Sequence, residues 1–440
     1  MADIAQFLLA APSSGSGKTT MTLGLLRTLA NRGLRVQPFK CGPDYIDTLH
    51  HTRAAQQQSI NLDLFMSSEQ HVLDLYARYA GQANVAVTEG VMGLFDGSEK
   101  MQGSSAALAE LLNIPVILVI NAKAMAYSVA PLLYGFKNFR PGVRVVGAIF
   151  NFVNTPSHYR FLEEACQEVG VEALGYLPAN PAFAIPSRHL GLHISAETDY
   201  ERIIQTVADE IPKTINLDRL LELTQGSLSP STTLPKQFQP KNRIRLAVAR
   251  DEAFTFMYAQ NIDQLKSFGD VSFFSPLRDK TLPETDFLYL PGGYPELYAK
   301  TLSQNETMRE SIRAYAQNGG LTYVECGGLM YLGRFLTDAA GQSFPMVGAL
   351  DVDTTMQNSK LTLGYRILTW DNLRLKGHEF HYSRLDEVVP QSSVAVATNA
   401  KGVEVPVKLY RKHNTFGSYT HLYWGGQPEF IEHLLRIGRF

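Results

Sequence analysis

Phe7-Leu-Leu-Ala-Ala-Pro-Ser-Ser-Gly-Ser-Gly-Lys-Thr-Thr20 runs from an apolar strand into a turn of small residues, and then into a helical pattern over Thr19–Ala30 that stops at Gly33. Strand, glycine-rich turn and helix in that order form the context of a phosphate-binding loop. Small residues let successive backbone N–H groups turn inward and cradle phosphates at the helix N-terminus. The candidate nucleotide contacts are Ser14, Gly15, Ser16, Gly17, Lys18, Thr19 and Thr20. Lys18 would reach the β- and γ-phosphates of ATP, and the Thr19 hydroxyl would ligate Mg²⁺. The standard pattern has glycine six residues before the lysine. Here that position is Pro12, so the loop belongs to a deviant class.

Outward from this loop, apolar runs at Arg35–Phe39, Val85–Thr88, Val116–Ile120 and Val143–Phe150 alternate with helical patterns. Strands this uniformly apolar have both faces covered, which predicts an α/β domain with a doubly wound, mostly parallel sheet. In such sheets ligands sit beyond the carboxyl ends of the strands. Two loops leave those ends. Phe39-Lys-Cys-Gly-Pro-Asp-Tyr-Ile-Asp47 offers Lys40 to ATP, Asp44 and Tyr45 to the substrate or its activation, and Asp47 to the metal. Thr88-Glu-Gly-Val-Met-Gly-Leu-Phe-Asp-Gly97 offers Glu89 to the metal and Asp96 to the substrate side. Hard oxygens with phosphate and water suit Mg²⁺. An aspartate in such a loop serves equally well as a turn or helix cap.

At 440 residues the chain calls for two or three domains. Hydrophobic content of 45% and charged content of 19% are those of a globular enzyme, and a net charge of −2 predicts neither nucleic acid nor membrane as partner. Cys41, Cys166 and Cys326 are too few for a disulfide framework, and their odd number leaves a free thiol, which suits the cytoplasm. Asp3 stands where a signal peptide needs basic residues, and the apolar stretch Ile114–Ile120 is too short to span a bilayer. A cytoplasmic protein is expected.

From about Thr224 to Asn242 the pattern dissolves into Ser, Thr, Pro, Gln and Gly. The expected division is an ATP-binding domain at 1–215, a linker at 216–243 and a second domain at 244–440. The second domain starts another α/β run at Ile244–Ala249, Val271–Phe274, Phe287–Leu290 and Leu321–Val324. Alternating strands follow at Leu361–Leu368, His378–Tyr382 and Ser418–Tyr423, which predicts a mixed sheet.

Leu321-Thr-Tyr-Val-Glu-Cys-Gly-Gly-Leu-Met330 places Cys326 at a strand-to-helix turn with glycines directly after it. That is the layout of a nucleophile elbow, where a sharp turn exposes the sulfur and the helix N-terminus favours thiolate. The Gly327 N–H would point at the oxyanion, and the loop Leu290-Pro-Gly-Gly-Tyr-Pro295 would lend a second N–H, from Gly293. A cysteine nucleophile needs a base, and His421 and His381 are close rivals for it, with His378 and His413 also in the domain.

Taken together, these residues resemble the cobyrinic acid a,c-diamide synthase family, which joins a dethiobiotin synthetase-like ATPase domain to a class I glutamine amidotransferase domain. The resemblance runs from about Phe7 to the C-terminus. It includes the phosphate loop, Gln-Pro-Phe-Lys-Cys-Gly-Pro-Asp-Tyr-Ile-Asp, Glu-Gly-Val-Met-Gly-Leu-Phe-Asp-Gly, Arg-His-Leu-Gly-Leu at 188–192, Glu-Cys-Gly-Gly-Leu-Met-Tyr-Leu-Gly, Gly-His-Glu-Phe-His-Tyr-Ser and Asn-Thr-Phe-Gly-Ser-Tyr-Thr-His. It implies a flavodoxin-like C-terminal fold and ATP- and Mg²⁺-dependent amidation of the a and c acetates of a corrinoid, with L-glutamine as nitrogen donor. It also implies that Cys326 is the nucleophile and His421 its base. Many class I glutaminases carry a glutamate two residues beyond that histidine. Tyr423 stands there in this chain, and the resemblance leaves open what orients His421. Nickel sirohydrochlorin and hydrogenobyrinic acid are alternative substrates under the same resemblance, and a homodimer is compatible with it. The rival from another class is a non-enzymatic P-loop switch ATPase, against which an intact Cys326 and His421 argue.

Overall fold

The computed structural model describes residues 3–185, 199–228 and 243–439. They form two compact units, 3–185 with 199–228, and 243–439. The Arg-His-Leu-Gly-Leu segment at 188–192 lies outside the described residues.

In the first unit the strands are β1 (Asp3–Ala10), β2 (Val36–Cys41), β3 (Ile60–Leu62), β4 (Val85–Glu89), β5 (Val116–Asn121), β6 (Val145–Asn151) and β7 (Glu172–Leu177). Between them run α1 (Lys18–Asn31), α2 (Ile46–Ala55), α3 (Glu69–Ala80), α4 (Ser105–Leu112), α5 (Val129–Asn138) and α6 (Pro156–Val169). The seven strands are parallel in the order β3-β2-β4-β1-β5-β6-β7. β1 sits at the centre, and the chain leaves it towards β2 on one side and reaches β5 on the other. That reversal opens a crevice at the carboxyl ends of the strands, where the phosphate loop lies. The doubly wound parallel sheet is as expected. β3 and β7 extend it beyond the strands read from the sequence.

α7 (Tyr200–Thr214) packs on α1, where Gly24 makes the close approach feasible: a Cβ there would lie 2.5 Å from Val207 Cγ1. The linker expected from residue 216 starts later. Asn216 caps α8 (Leu217–Leu223) by accepting the Arg219 N–H at 3.0 Å, and Leu217 and Leu220 are buried. β8 (Gln225–Ser227) then pairs antiparallel with Asp3–Ala5 of β1, so residues through 227 belong to the first unit.

The second unit opens with β9 (Ile244–Ala249), α9 (Ala259–Phe268), β10 (Gly269–Phe274), β11 (Phe287–Leu290), α10 (Ala299–Gln304), α11 (Glu306–Gln317), β12 (Leu321–Glu325) and α12 (Gly327–Leu332). Further strands follow: β13 (Phe335–Thr337), β14 (Ser343–Pro345), β15 (Val352–Thr355), β16 (Thr362–Trp370), β17 (Leu373–His381), β18 (Arg384–Glu387) and β19 (Val396–Asn399). β20 (Tyr410–Lys412), β21 (Thr415–Ser418), β22 (His421–Leu422) and α13 (Pro428–Gly438) complete the unit. The main sheet runs β10-β9-β11-β12-β21-β20, with β20 antiparallel at the edge. Its first five strands have the flavodoxin-like order. Two further four-stranded sheets are β14-β13-β15-β18 and β19-β16-β17-β22; the alternating strands expected at Leu361–Leu368 and His378–Tyr382 are β16 and β17 of the second, not part of the main sheet. Ser418–Tyr423, expected as one strand, breaks at Tyr419 and Thr420 so that β21 joins the main sheet and β22 pairs with β17. Among the described residues no helix is long and apolar enough to cross a membrane.

Candidate active site

The phosphate loop closes at the crevice of the first unit. Gly15 and Gly17 hold φ of 82° and 86°, a conformation that side chains rarely adopt, and Gly17 directly precedes α1. Asn151, at the end of β6, donates to the Ser16 carbonyl at 3.1 Å. A Cβ on Gly17 would fall 1.9 Å from that amide, so the loop and Asn151 exclude any residue but glycine. Ser14 is exposed and Thr20 half-buried on the first turn of α1. Lys18 donates to the Met92 carbonyl at 2.9 Å, which ties the loop after β4 to the phosphate loop.

Below the loop lies a buried polar cluster. The Thr19 hydroxyl donates to Glu89 Oε1 at 2.7 Å, and Lys40 Nζ lies 2.7 Å from Asp47 and 3.1 Å from Glu89. His51 Nε2 lies 2.6 Å from the other Glu89 oxygen. Burial by itself would lower the Lys40 pKa, but Asp47 and Glu89 outweigh it and hold the ammonium charged. Burial likewise opposes the Glu89 carboxylate, and Lys40 overcomes it and keeps that group below the ordinary glutamate range. Thr19, Asp47 and Glu89 thus come together, all as hard oxygens. Lys40 offsets one of the two carboxylate charges, and among the described residues no group of three or more His, Cys, Asp or Glu side chains is arranged to hold a metal unaided. Asp44 accepts the N–H groups of Ile46 and Asp47 at the start of α2, where Tyr45 is buried, and Asp96 accepts the Gly93 N–H. Both aspartates therefore shape their loops, the alternative an aspartate in such a loop always carries. His51 and Asn151 were not expected from the sequence.

In the second unit Cys326 joins β12 to α12 with φ 43° and ψ −103°, a strained turn for a residue with a side chain. The glycines around it are fixed by contact. A Cβ on Gly327 would lie 2.8 Å from Gly293 N, one on Gly328 would lie 2.2 Å from Leu290 O, and one on Gly292 would lie 2.1 Å from His421 Cε1. The Pro-Gly-Gly loop therefore touches both the cysteine turn and the histidine ring, and Gly293 and Gly327 come together as expected. The Gly327 N–H hydrogen-bonds the sulfur and favours thiolate, yet burial dominates and raises the Cys326 pKa, with Glu296 adding to it. The helix end favours thiolate as expected, and burial is the larger effect.

His421 is buried at the start of β22, and burial drives its pKa well down, so the ring is neutral. Its strand is held by two side chains. Asn261 donates to the Leu422 carbonyl at 2.8 Å and accepts the Trp424 N–H, and Glu325 accepts the Leu422 N–H at 2.9 Å. Glu325 also accepts the hydroxyls of Tyr289 and Tyr323, and burial pushes it up to about 8. Of the rival histidines, His381 stacks on Tyr419 with its Nδ1 2.9 Å from the Ser383 carbonyl, and His413 is exposed in the turn between β20 and β21. Asn261 escaped the sequence reading because α9 is remote from both glycine loops, and Glu325 because nothing local marks what its side chain holds.

Residues 7–192 match the family described as CobQ/CobB/MinD/ParA nucleotide binding domain, and residues 245–429 match the CobB/CobQ-like glutamine amidotransferase domain. The cobyrinate a,c-diamide synthase of Listeria monocytogenes serotype 4b is 39% identical over 98% of both chains, and that of Streptococcus sanguinis 40% identical over 98% of both. The hydrogenobyrinate a,c-diamide synthase of Brucella abortus is 39% identical over 94% of this chain and 98% of its own. With a nucleotide-binding domain, a glutamine amidotransferase domain and relatives matched along nearly their whole length, this chain belongs to the cobyrinate a,c-diamide synthase family of glutamine-hydrolysing ligases.

Proposed function

We propose that the chain amidates the a and c acetate carboxylates of cobyrinic acid, using ATP to activate each carboxylate as an acyl phosphate and Cys326 to release ammonia from glutamine. One observation carries the reading. The same chain holds a strained cysteine turn whose Gly327 N–H meets the sulfur and packs against the Gly293 backbone, and a phosphate loop wired to a buried Thr19–Glu89–Lys40–Asp47 cluster.

In the glutaminase, the Cys326 thiol passes its proton to His421 as sulfur attacks the carboxamide carbon. The oxyanion forms beside the Gly293 and Gly327 N–H groups, and His421 returns the proton to the departing ammonia. Water activated by His421 then hydrolyses the thioester to glutamate. In the synthetase, an acetate oxygen attacks the γ-phosphorus and ADP leaves, after which ammonia displaces phosphate. Lys18 neutralises the phosphates, and Lys40 keeps Glu89 ionised and holds Asp47 in place. Thr19, Asp47 and Glu89 fit Mg²⁺ in the way that ion is commonly held, by one or two carboxylates with phosphate oxygens and water. When bound it supplies charge neutralisation at the transferred phosphoryl group.

The Brucella relative supports a second reading with the same chemistry on cobalt-free hydrogenobyrinate. Incubation with cobyrinate, hydrogenobyrinate or nickel sirohydrochlorin, with ATP, Mg²⁺ and glutamine, separates them by counting amides from the product mass. Two amides on cobyrinate are expected. Glutamine hydrolysis with no amidation of any of the three would overturn the reading.

A further inference from the structure

Tyr423, in the place of the orienting carboxylate, packs its ring edge-on against Tyr258 with centroids 5.2 Å apart. What faces His421 is a second imidazole. His378 lies directly across the β17–β22 ladder from it, with ring centroids 5.2 Å apart and planes 22° from parallel, and both rings are buried. Gly377 permits that pairing, because a Cβ there would lie 2.1 Å from the His421 carbonyl oxygen. His378 is fixed in turn: its Nδ1 lies 3.0 Å from the Tyr258 hydroxyl. Burial, helped by Arg366, lowers its pKa to about 3, so the ring is neutral and its Nδ1 shares a single hydrogen with the tyrosine hydroxyl.

We propose that His378 is the positioning residue for His421, holding the base by ring stacking and a tyrosine hydrogen bond where other glutaminases use a carboxylate. The proposal rests on the reading of Cys326 and His421 as nucleophile and base. A neutral ring beside the base fixes its orientation without stabilising its protonated form. The proton taken from Cys326 is therefore held only briefly and passes to the departing ammonia. Geometry, rather than basicity, is what this arrangement supplies.

The test uses the full chain and compares His378→Ala with His378→Phe, which keeps a flat ring for the stack. His378→Gln, without a ring, serves if the alanine variant does not fold. Each is assayed for glutamine hydrolysis and for amidation driven by added ammonium. His378→Ala should lower the glutaminase kcat about 100-fold with KM for glutamine within about twofold, the signature of a displaced reacting group. His378→Phe should recover about tenfold of that loss, and ammonium-driven amidation should be unchanged in all. A merely structural role would raise KM in step with the kcat loss or lower both activities. Either result overturns the proposal, as does a near-normal kcat in His378→Ala or His378→Gln. His421→Ala is run in parallel. If it leaves hydrolysis intact the glutaminase reading itself fails, whereas if only the His378 variants stay active, this inference alone fails.

Discussion

Gly292→Ala adds one methyl group where the Pro-Gly-Gly loop touches the base. The new carbon would lie 2.1 Å from His421 Cε1, 2.9 Å from Nδ1 and 3.2 Å from Nε2. Carbon atoms settle about 3.5–4.0 Å apart, so the ring has to retreat by about 1.4 Å or more. It has little room to do so, stacked as it is on His378 in a strand clamped by Asn261 and Glu325. Gly292 is not among the residues with positive φ, so the substitution carries no backbone strain of its own. A displacement of about 1 Å at a reacting group costs about 10²-fold in rate, or about 2.7 kcal/mol in the barrier. Glutamate release at saturating glutamine should therefore fall about 100-fold, while amidation driven by added ammonium stays at the wild-type rate. A glutaminase kcat within about threefold of wild type, in a variant of unchanged stability, would refute this reasoning. It would mean that the loop yields, or that the ring takes no part in the chemistry.

Cys326→Ser should abolish glutamine-driven amidation and spare synthesis from ammonium; parallel loss with both donors would remove the cysteine from nitrogen release. Lys18→Ala should stop amidation from either donor, and retained ammonium-driven activity would argue against its phosphate role. Glu89→Gln takes one of two carboxylates from Lys40 and should cost about 2 kcal/mol in urea unfolding at neutral pH. Because the Glu89 pKa is held below its ordinary 4.5, its contribution is complete above that value and is lost as pH falls towards about 2. The deficit of the variant should therefore shrink in acid, and a deficit that grows there contradicts the assignment. With heavy oxygen in the corrinoid carboxylate, one label per amide should appear in inorganic phosphate alongside ADP. AMP and pyrophosphate would sink the acyl-phosphate route.

The phosphate loop and the cysteine turn were legible because each joins an apolar strand to glycines whose spacing has a steric cause. Gly17 must clear Asn151 and Gly328 must clear Leu290. Asn151, the partner in the first contact, and His51 beside Glu89 were not legible, since they reach the site from β6 and α2, where nothing local marks them. β3 is three residues long, and β7 carries Gly175 with φ 130°, so neither gave a strong periodic signal. The helix over Leu217–Leu223 did carry a signal, a capping Asn216 with buried Leu217 and Leu220, which the polar stretch after it obscured. The helix end that favours the Cys326 thiolate is visible in sequence, whereas the depth of burial that outweighs it is not.

Glu325 precedes the nucleophile, and its side chain accepts the N–H of Leu422, the residue that follows the base. The separation of Cys326 from His421 is thereby gauged by one carboxyl group and its two tyrosines, and the exposed turns of the long excursion through β13 to β20 take no part in it. That excursion can change length without resetting the gauge. Insertions at exposed turns such as 357–361 and 399–403 should leave glutamine hydrolysis intact, which makes them natural attachment points for tags or foreign domains.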